Sequence, residues 1–147
     1  AEVIVVTTPQ EAAQKVAKLS AAMATKVNLP VRGIIENMSW FTGDDGVRYE
    51  LFGSGGGQSL ADELNVPLLA QIPLMSALRE GGDDGRPITA VAPDSEIGQI
   101  FAGLAKRIIS SEAVRVQEPS NREQFGNVLR PNAAASLRLN VEGVEVC

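Results

Sequence analysis

A glycine-rich run, residues 53–57 (GSGGG), has the composition of a phosphate-binding loop. A Walker A loop also requires a lysine after its last glycine, because that lysine neutralises phosphate charge while backbone amides cradle the oxygens. Here Gln58 and Ser59 follow the glycines, and Gln58 stands where the dinucleotide fingerprint needs a further glycine. We therefore interpret the run as a turn that feeds the amides of a helix beginning near Gln58, with direct phosphate binding as the alternative.

Asn37 is the polar residue whose position is most informative. It follows the apolar pair Ile34 and Ile35, at the carboxyl end of a predicted parallel strand. Open α/β sheets bind their ligands at that end. A carboxamide can donate and accept hydrogen bonds at once, which suits the edge of an adenine ring. An Asx turn explains the same residue equally well, and the spacing does not separate the two interpretations.

The sequence contains few other candidate catalytic or metal-binding residues. The acidic pairs Asp44-Asp45 and Asp83-Asp84 contain ligands that hard cations prefer, but neither has calcium-loop spacing, and acids beside glycine are typical of solvated turns. We predict no metal site from them. There is no histidine and a single cysteine, Cys147, which excludes a serine–histidine triad and an intrachain disulfide within this sequence.

The composition favours one soluble globular domain. The sequence has 147 residues, of which 44% are apolar and 21% charged, and its formal net charge is −5. This charge argues against nucleic-acid or anionic-membrane binding through the bulk surface. No apolar run approaches the roughly 20 residues of a membrane-spanning helix, and no signal peptide is visible, so we expect a cytoplasmic protein. The direct entry from Ala1 into an apolar run suggests a piece of a longer protein.

The apolar periodicity predicts three strands and three helices. The strands are expected at residues 3–6, 31–35 and 66–73, and short helices or loops separate them. The first helix should begin with a capping box formed by Thr8 and Glu11, with Pro9 in its first turn. Its apolar face is predicted to consist of five residues at helical spacing: Ala12, Val16, Leu19, Met23 and Val27.

Two further helices are expected. One covers residues 58–65, with Leu60, Ala61 and Leu64 on its apolar face. The other is capped by Asp94, and its apolar face consists of Ile97, Ile100, Phe101, Leu104 and Ile108. Residues 81–87 are predicted to form a plain loop.

Alternation of strand and helix predicts an α/β fold. Such a pattern is typical of right-handed crossovers onto a parallel sheet, and three strands make about half of a usual sheet. We expect a partial doubly wound domain over residues 1–110. Residues 111–147 mix charges with proline and asparagine and predict an irregular tail, with one short strand at 137–141 as its most regular segment.

Five segments in order resemble a known family. They are residues 4–10 (IVVTTPQ), 33–39 (GIIENMS), 52–57 (FGSGGG), 72–80 (IPLMSALRE) and 85–88 (GRPI). Together they resemble the C-terminal half of the Mrp/ApbC family of P-loop ATPases, the iron–sulfur cluster carriers related to MinD. The resemblance covers about residues 1–110, and five segments in register make it specific.

This resemblance implies a doubly wound ATPase that uses ATP with magnesium, forms a homodimer and contacts iron–sulfur client or assembly proteins. In that family the Walker A lysine and both switch segments precede the strand that begins here at Val3. Phosphoryl transfer needs those groups, so we expect no catalytic residue and no ATP hydrolysis in this chain alone. The adenine-side positions carry over as Asn37, Pro73 and Leu74.

Family members often carry a C-x-x-C pair between the second and third of these segments. Thr42 and Asp45 occupy the two cysteine positions here. A hydroxyl and a carboxylate are poor substitutes for the thiolates that hold iron–sulfur clusters, and Cys147 lies outside the resemblance. The missing pair argues against a cluster at the usual site. A MinD-like nucleotide-switched scaffold without a cluster is the alternative function, and an inactive truncated product is a third.

Overall fold

A computed structural model describes residues 1–116 of this chain, with side chains for residues 1–110. Residues 1–108 form one compact unit, and a second unit begins at Ile109. The elements are β1 (Val3–Thr7), α1 (Glu11–Lys26), β2 (Val31–Asn37), β3 (Phe41–Thr42), β4 (Arg48–Tyr49), α2 (Gly56–Leu64), β5 (Leu68–Ile72), α3 (Ser76–Asp83), α4 (Ile88–Val91) and α5 (Glu96–Val116).

The central sheet has three parallel strands in the order β1-β2-β5. Since all three strands run in one direction, helices must carry the chain back each time, and α1 and α2 do so. The predicted parallel α/β architecture is confirmed. The short antiparallel pair β3-β4, which lies between β2 and α2, was not predicted.

Two apolar clusters cover the two faces of the sheet. The first joins the strand residues Val5 and Ile34 to the alanines of α1 and to Leu60 and Ala61 of α2. The second joins Ile35, Leu69 and Ile72 of the sheet to α4 and α5. The apolar faces predicted for the second and last helices are confirmed, because their members lie in or against these clusters.

The apolar face predicted for α1 is not the face that packs in the core. Val16, Leu19 and Met23 are exposed, as is Val27 just after the helix, whereas Ala17, Ala21 and Ala24 are buried. Small side chains let the helix backbone approach the sheet and α2 closely, so the alanine face fits this position better than the larger residues. The helix therefore has two apolar faces, and only the smaller one is used inside this unit.

Both predicted helix caps are corrected. The helix α1 begins at Glu11 without a side-chain cap, and the Thr8 hydroxyl is buried without a hydrogen-bond partner. The carbonyl of Pro9 instead accepts a hydrogen bond from Gln14 Nε2 at 2.7 Å, and it packs against the start of α2. At α5 the cap is Ser95, not Asp94: its Oγ accepts from the amide of Gly98 at 3.1 Å.

Several boundaries differ from those predicted. Residues 81–83 close α3, and only the remainder of the predicted loop is non-helical before α4. The last helix continues to Val116, whereas its predicted apolar face ends at Ile108. The predicted strand at 137–141 and Cys147 lie outside the described residues, and the domain boundary near residue 110 stays a prediction. No helix in the described part of the chain is long and apolar enough to span a membrane.

The same substitution, leucine to alanine, at Leu60 of α2 and at Leu19 of α1 tests which residues pack in the core. Leu60 is 2% exposed and Leu19 is 72% exposed. We expect Leu60→Ala to lower the free energy of unfolding by about 2–5 kcal/mol, because it leaves a cavity in the core. Leu19→Ala should change it by less than about 0.5 kcal/mol. Urea unfolding of both variants measures the difference, and equal losses would contradict the observed packing of α1.

Candidate functional site

The carboxyl ends of β2 and β5 lie side by side. Asn37, the last residue of β2, is in register with Ile72, the last residue of β5. Pairing continues past the strands: the amide of Ser39 donates to the carbonyl of Ile72 at 3.0 Å, and the amide of Leu74 donates to the carbonyl of Trp40 at 2.7 Å. The predicted base-side residues Asn37, Pro73 and Leu74 therefore occupy neighbouring chain segments at the sheet end where α/β proteins bind ligands.

A strained turn holds Asn37 in place. Met38 has a positive φ of 56°, a conformation that is uncommon for residues other than glycine. The Oδ1 atom of Asn37 accepts a hydrogen bond from the Met38 amide at 2.9 Å, and the Ser39 hydroxyl donates to the carbonyl of Glu36 at 3.0 Å. Strain of this kind persists only where the surroundings over-determine it. The turn fixes Oδ1 of Asn37 and does not use its Nδ2 group.

A groove of about 580 Å³ runs along β1 and reaches Asn37. Thr7 and Thr8 also line it, although the Thr8 hydroxyl itself is buried and has no hydrogen-bond partner. Pro73 is buried, Leu74 is half-buried, and neither lines the groove. The structure thus places Asn37 on a concave surface. Pro73 and Leu74 lie near Asn37 through the backbone pairing of β2 and β5, but they do not line that surface.

The last two glycines of the run begin α2 at Gly56, two residues before the predicted start at Gln58. The amide of Gly57 binds a carboxylate of the same chain. Glu36 on β2 is 1% exposed. Its carboxylate accepts a hydrogen bond from the backbone amide of Gly57 and another from Gln71 Nε2 at 2.8 Å. A negative charge is stabilised at a helix N-terminus, where amides lack partners and the helix dipole is positive. Glu36 therefore takes the role at this helix that a phosphate takes in a P-loop.

Close packing explains why glycine is needed here. A Cβ atom on Gly57 would lie 2.6 Å from the Cβ of Glu36, which is closer than real Cβ contacts allow. The preceding Gly55, at the N-cap, has a φ of 74°, which favours glycine. The sequence contained a signal for this contact, since Glu36 is the one carboxylate in β2 and follows the apolar pair Ile34 and Ile35, but that residue was not assigned a role.

Thr42 and Asp45 lie in the β3-β4 hairpin. Thr42 pairs with Arg48 across the hairpin. The Asp45 carboxylate accepts a hydrogen bond from the Tyr49 hydroxyl at 2.6 Å and another from the Val47 amide at 2.9 Å. The bond from Tyr49 lowers the pKa of Asp45, with a smaller contribution from Val47, and the same bond raises the pKa of Tyr49. Asp45 thus closes the hairpin turn.

Trp40 connects this hairpin to the rest of the unit. The guanidinium of Arg48 lies over its ring, 4.4 Å from the centroid, and also pairs with Glu96 at 2.9 Å. The indole nitrogen of Trp40 is buried without a hydrogen-bond partner. Among residues 1–110, no three histidine, cysteine, aspartate or glutamate side chains lie close enough together to hold a metal ion.

Comparisons with known proteins agree on one family. The ParA family, described as the NUBPL iron-transfer P-loop NTPase, matches residues 1–109. The iron–sulfur cluster carrier protein of Synechocystis sp. is 44% identical over 107 residues, which cover 71% of this chain and 30% of that protein. The corresponding protein of Mycobacterium leprae is 42% identical over 118 residues, which cover 76% of this chain and 31% of the relative.

A solved structure shows the same fold. The septum site-determining protein MinD of Pyrococcus horikoshii, complexed with Mg-ADP, is 25% identical with a TM-score of 0.61, and the match covers 79% of this chain and 44% of that one. The chain therefore spans less than half of this neighbour and about 30% of the carrier proteins it matches.

Two helical glycines test the contact between Glu36 and α2. Gly57→Ala should lower the free energy of unfolding by about 1–3 kcal/mol, because the new methyl group displaces the Glu36 side chain. Gly82→Ala is the matched control, since nothing lies within 4 Å of its added Cβ. In α3 it should be neutral or stabilise by up to about 1 kcal/mol. Urea unfolding distinguishes the two, and a neutral Gly57→Ala would refute the close approach.

The hairpin should respond to pH through Asp45. Because the pKa of Asp45 is lowered below 3.8 in the folded hairpin, its stabilising contacts are present above 3.8 and are lost as the pH falls through the lowered value. We expect a carboxyl titration by NMR to show this shift. Tyr49→Phe should move the pKa of Asp45 back towards 3.8, because it removes the hydroxyl donor. An unchanged titration in that variant would contradict the assigned cause.

Proposed function

The chain belongs to the ParA family of P-loop NTPases, described as the NUBPL iron-transfer P-loop NTPase, and from that premise we propose that it forms the adenine-side part of an ATP-binding domain. The whole protein would act as an iron–sulfur cluster carrier or assembly factor, as its relatives are named. The observation that carries this proposal is the position of Asn37 at the carboxyl end of β2, held by the strained Met38 turn.

Asn37 has the chemistry to read a base. Its Oδ1 is fixed by the Met38 amide, which orients the carboxamide and points to Nδ2 as the donor for a ring nitrogen of adenine. Pro73 and Leu74 would support the base by packing and through their backbone, since β2 and β5 pair at this end.

The phosphates need groups that residues 1–110 do not offer at this site. The glycine run has no lysine after it, and its Gly57 amide is taken by Glu36. In P-loop NTPases a lysine and a bound Mg²⁺ neutralise the charge that develops during phosphoryl transfer. We propose that another part of the protein supplies those groups. This chain contributes to nucleotide binding and does not hydrolyse ATP alone.

The hairpin is unsuited to hold an iron–sulfur cluster. Thr42 and Asp45 stand at the cysteine positions of the family pattern, and Asp45 already bonds to Tyr49 and Val47. Clusters require soft thiolate ligands. This observation favours, as a second candidate function, a MinD-like nucleotide-switched scaffold that carries no cluster at the hairpin. In either case we propose a cytoplasmic homodimer, with a domain that ends near residue 110.

A chimera tests the nucleotide proposal. Residues 1–109 would replace the matched segment of the Synechocystis relative, and phosphate release from Mg-ATP would be measured. We expect turnover by the chimera, since it combines both parts of the site, and none above a no-protein control by the isolated chain of 147 residues. Magnesium-dependent turnover by the isolated chain would refute the proposed division of the site.

Asn37→Asp in the chimera tests the base contact itself. Aspartate keeps the oxygen that accepts from the Met38 amide but loses the Nδ2 donor, so the turn should survive. We expect ADP affinity to fall by roughly tenfold, equivalent to about 1.4 kcal/mol. Gln99→Ala, which removes an exposed amide from α5, is the control and should leave affinity unchanged. Equal affinities for the Asn37→Asp chimera and its parent would exclude Asn37 from base binding.

A further inference from the structure

One row of residues crosses all three strands near their carboxyl ends. Glu36 of β2 is in register with Thr7 of β1 and with Gln71 of β5. Its carboxylate accepts a hydrogen bond from the Gln71 side chain in the same row and another from the Gly57 amide of α2. A neighbouring strand and a helix therefore hold Glu36, in addition to its own strand. We call these two side-chain hydrogen bonds the Glu36 clamp.

The turn that follows β2 is built on Glu36. The Ser39 hydroxyl donates to the carbonyl of Glu36 at 3.0 Å, and Ser39 is 5% exposed. Between these two residues, the Asn37 carboxamide accepts from the amide of Met38, which has the positive φ. Such a conformation persists only where neighbouring groups over-determine it. Glu36 and Ser39 are the two ends of the turn, so a fixed Glu36 sets the frame in which Asn37 is presented.

The clamp also closes the segment that contains the hairpin. Residues 37–56 leave the sheet at the end of β2, form the β3-β4 hairpin and return at the start of α2. Gly57 and Glu36 are 21 residues apart, and their hydrogen bond ties the two ends of this segment together. Holding the ends of such a loop together has an entropic cost, which the buried hydrogen bonds of the clamp oppose. The hairpin segment is thus held closed at the residue that precedes Asn37.

The chemistry of the clamp requires a carboxylate between two donors. The Gly57 amide donates to Oε2 of Glu36, and Gln71 Nε2 donates to Oε1. A glutamine at position 36 would offer one acceptor oxygen and one NH₂ group, so one donor would face another donor. Glu36 is 1% exposed, and a buried donor that loses its acceptor is costly. An isosteric change at this residue should therefore loosen the clamp.

We propose that the Glu36 clamp positions Asn37 for contact with the base. Glu36 is a positioning residue and not a ligand-binding one, because its carboxylate is buried and its two oxygens accept from Gly57 and Gln71. The proposal rests on the proposed function, in which Asn37 Nδ2 donates to adenine. It also assigns a role to the glycine run, whose helix start holds the residue that precedes the base contact.

A reciprocal exchange tests the clamp in the chimera that carries residues 1–109 in the Synechocystis relative. We expect Glu36→Gln to lower ADP affinity about tenfold. Adding Gln71→Glu restores a donor opposite an acceptor and keeps an oxygen for the Gly57 amide, so the double variant should return to within about threefold of the parent. Leu104→Ala is the control for lost stability, because it removes a buried side chain of α5 outside the clamp. Its folded fraction should bind ADP like the parent.

Amide hydrogen exchange in the chain of 147 residues gives a measurement without nucleotide. The Met38 amide donates to Asn37, and the Ile34 amide donates to the carbonyl of Pro67 in the same sheet. In Glu36→Gln, exchange of the Met38 amide should quicken more than exchange of the Ile34 amide, because the turn opens locally. General destabilisation in Leu104→Ala should not favour Met38 over Ile34.

The outcomes separate the clamp from the nucleotide site. Unchanged ADP affinity or unchanged Met38 exchange in Glu36→Gln would overturn the proposal. So would a double variant that regains the parent's stability in urea but not its ADP affinity. A parent chimera that does not bind ADP, combined with the expected Met38 exchange in the isolated chain, would refute the proposed function and keep the clamp as the support of the turn.

Discussion

The buried carboxylate of Glu36 is the interaction on which the arrangement at the carboxyl end of the sheet depends. It joins three elements at once, because it lies on β2, accepts from Gly57 at the start of α2 and accepts from Gln71 on β5. A buried charge is tolerated only where hydrogen bonds and favourable dipoles compensate for lost hydration. Its partners therefore cannot move independently. Asn37 is the next residue along β2, so this network also fixes where the candidate base contact lies.

Much of the architecture could be predicted from the sequence, because apolar periodicity reports burial directly. The three parallel strands and the faces of α2 and α5 follow from it. The face of α1 could not be assigned this way, since the helix has two apolar faces and periodicity does not say which one meets the sheet. The periodicity indicated the face of α1 that carries the larger apolar residues. The close approach of helix and sheet selects alanines instead, and that approach is a property of the tertiary structure.

The site was predictable only in part for a similar reason. Asn37 could be located because strand direction alone places it at the carboxyl edge of the sheet. Glu36 could not be given a partner, since its contact with Gly57 spans 21 residues and depends on the path of the hairpin between them. The missing lysine was visible in the sequence. The hydrogen bond from the Gly57 amide to Glu36 can be recognised only in the folded structure.

The contact of Glu36 with α2 constrains how the nucleotide site could be divided in the proposed function. Free glycine amides at α2 would still lack the lysine that a phosphate-binding loop needs, because Gln58 and Ser59 follow the glycines. Glu36 in addition accepts a hydrogen bond from the Gly57 amide, so the start of α2 offers a phosphate neither a lysine nor that amide. Under the proposed function, the phosphate-binding groups therefore come from outside this helix start, while Asn37 lies on the groove along β1.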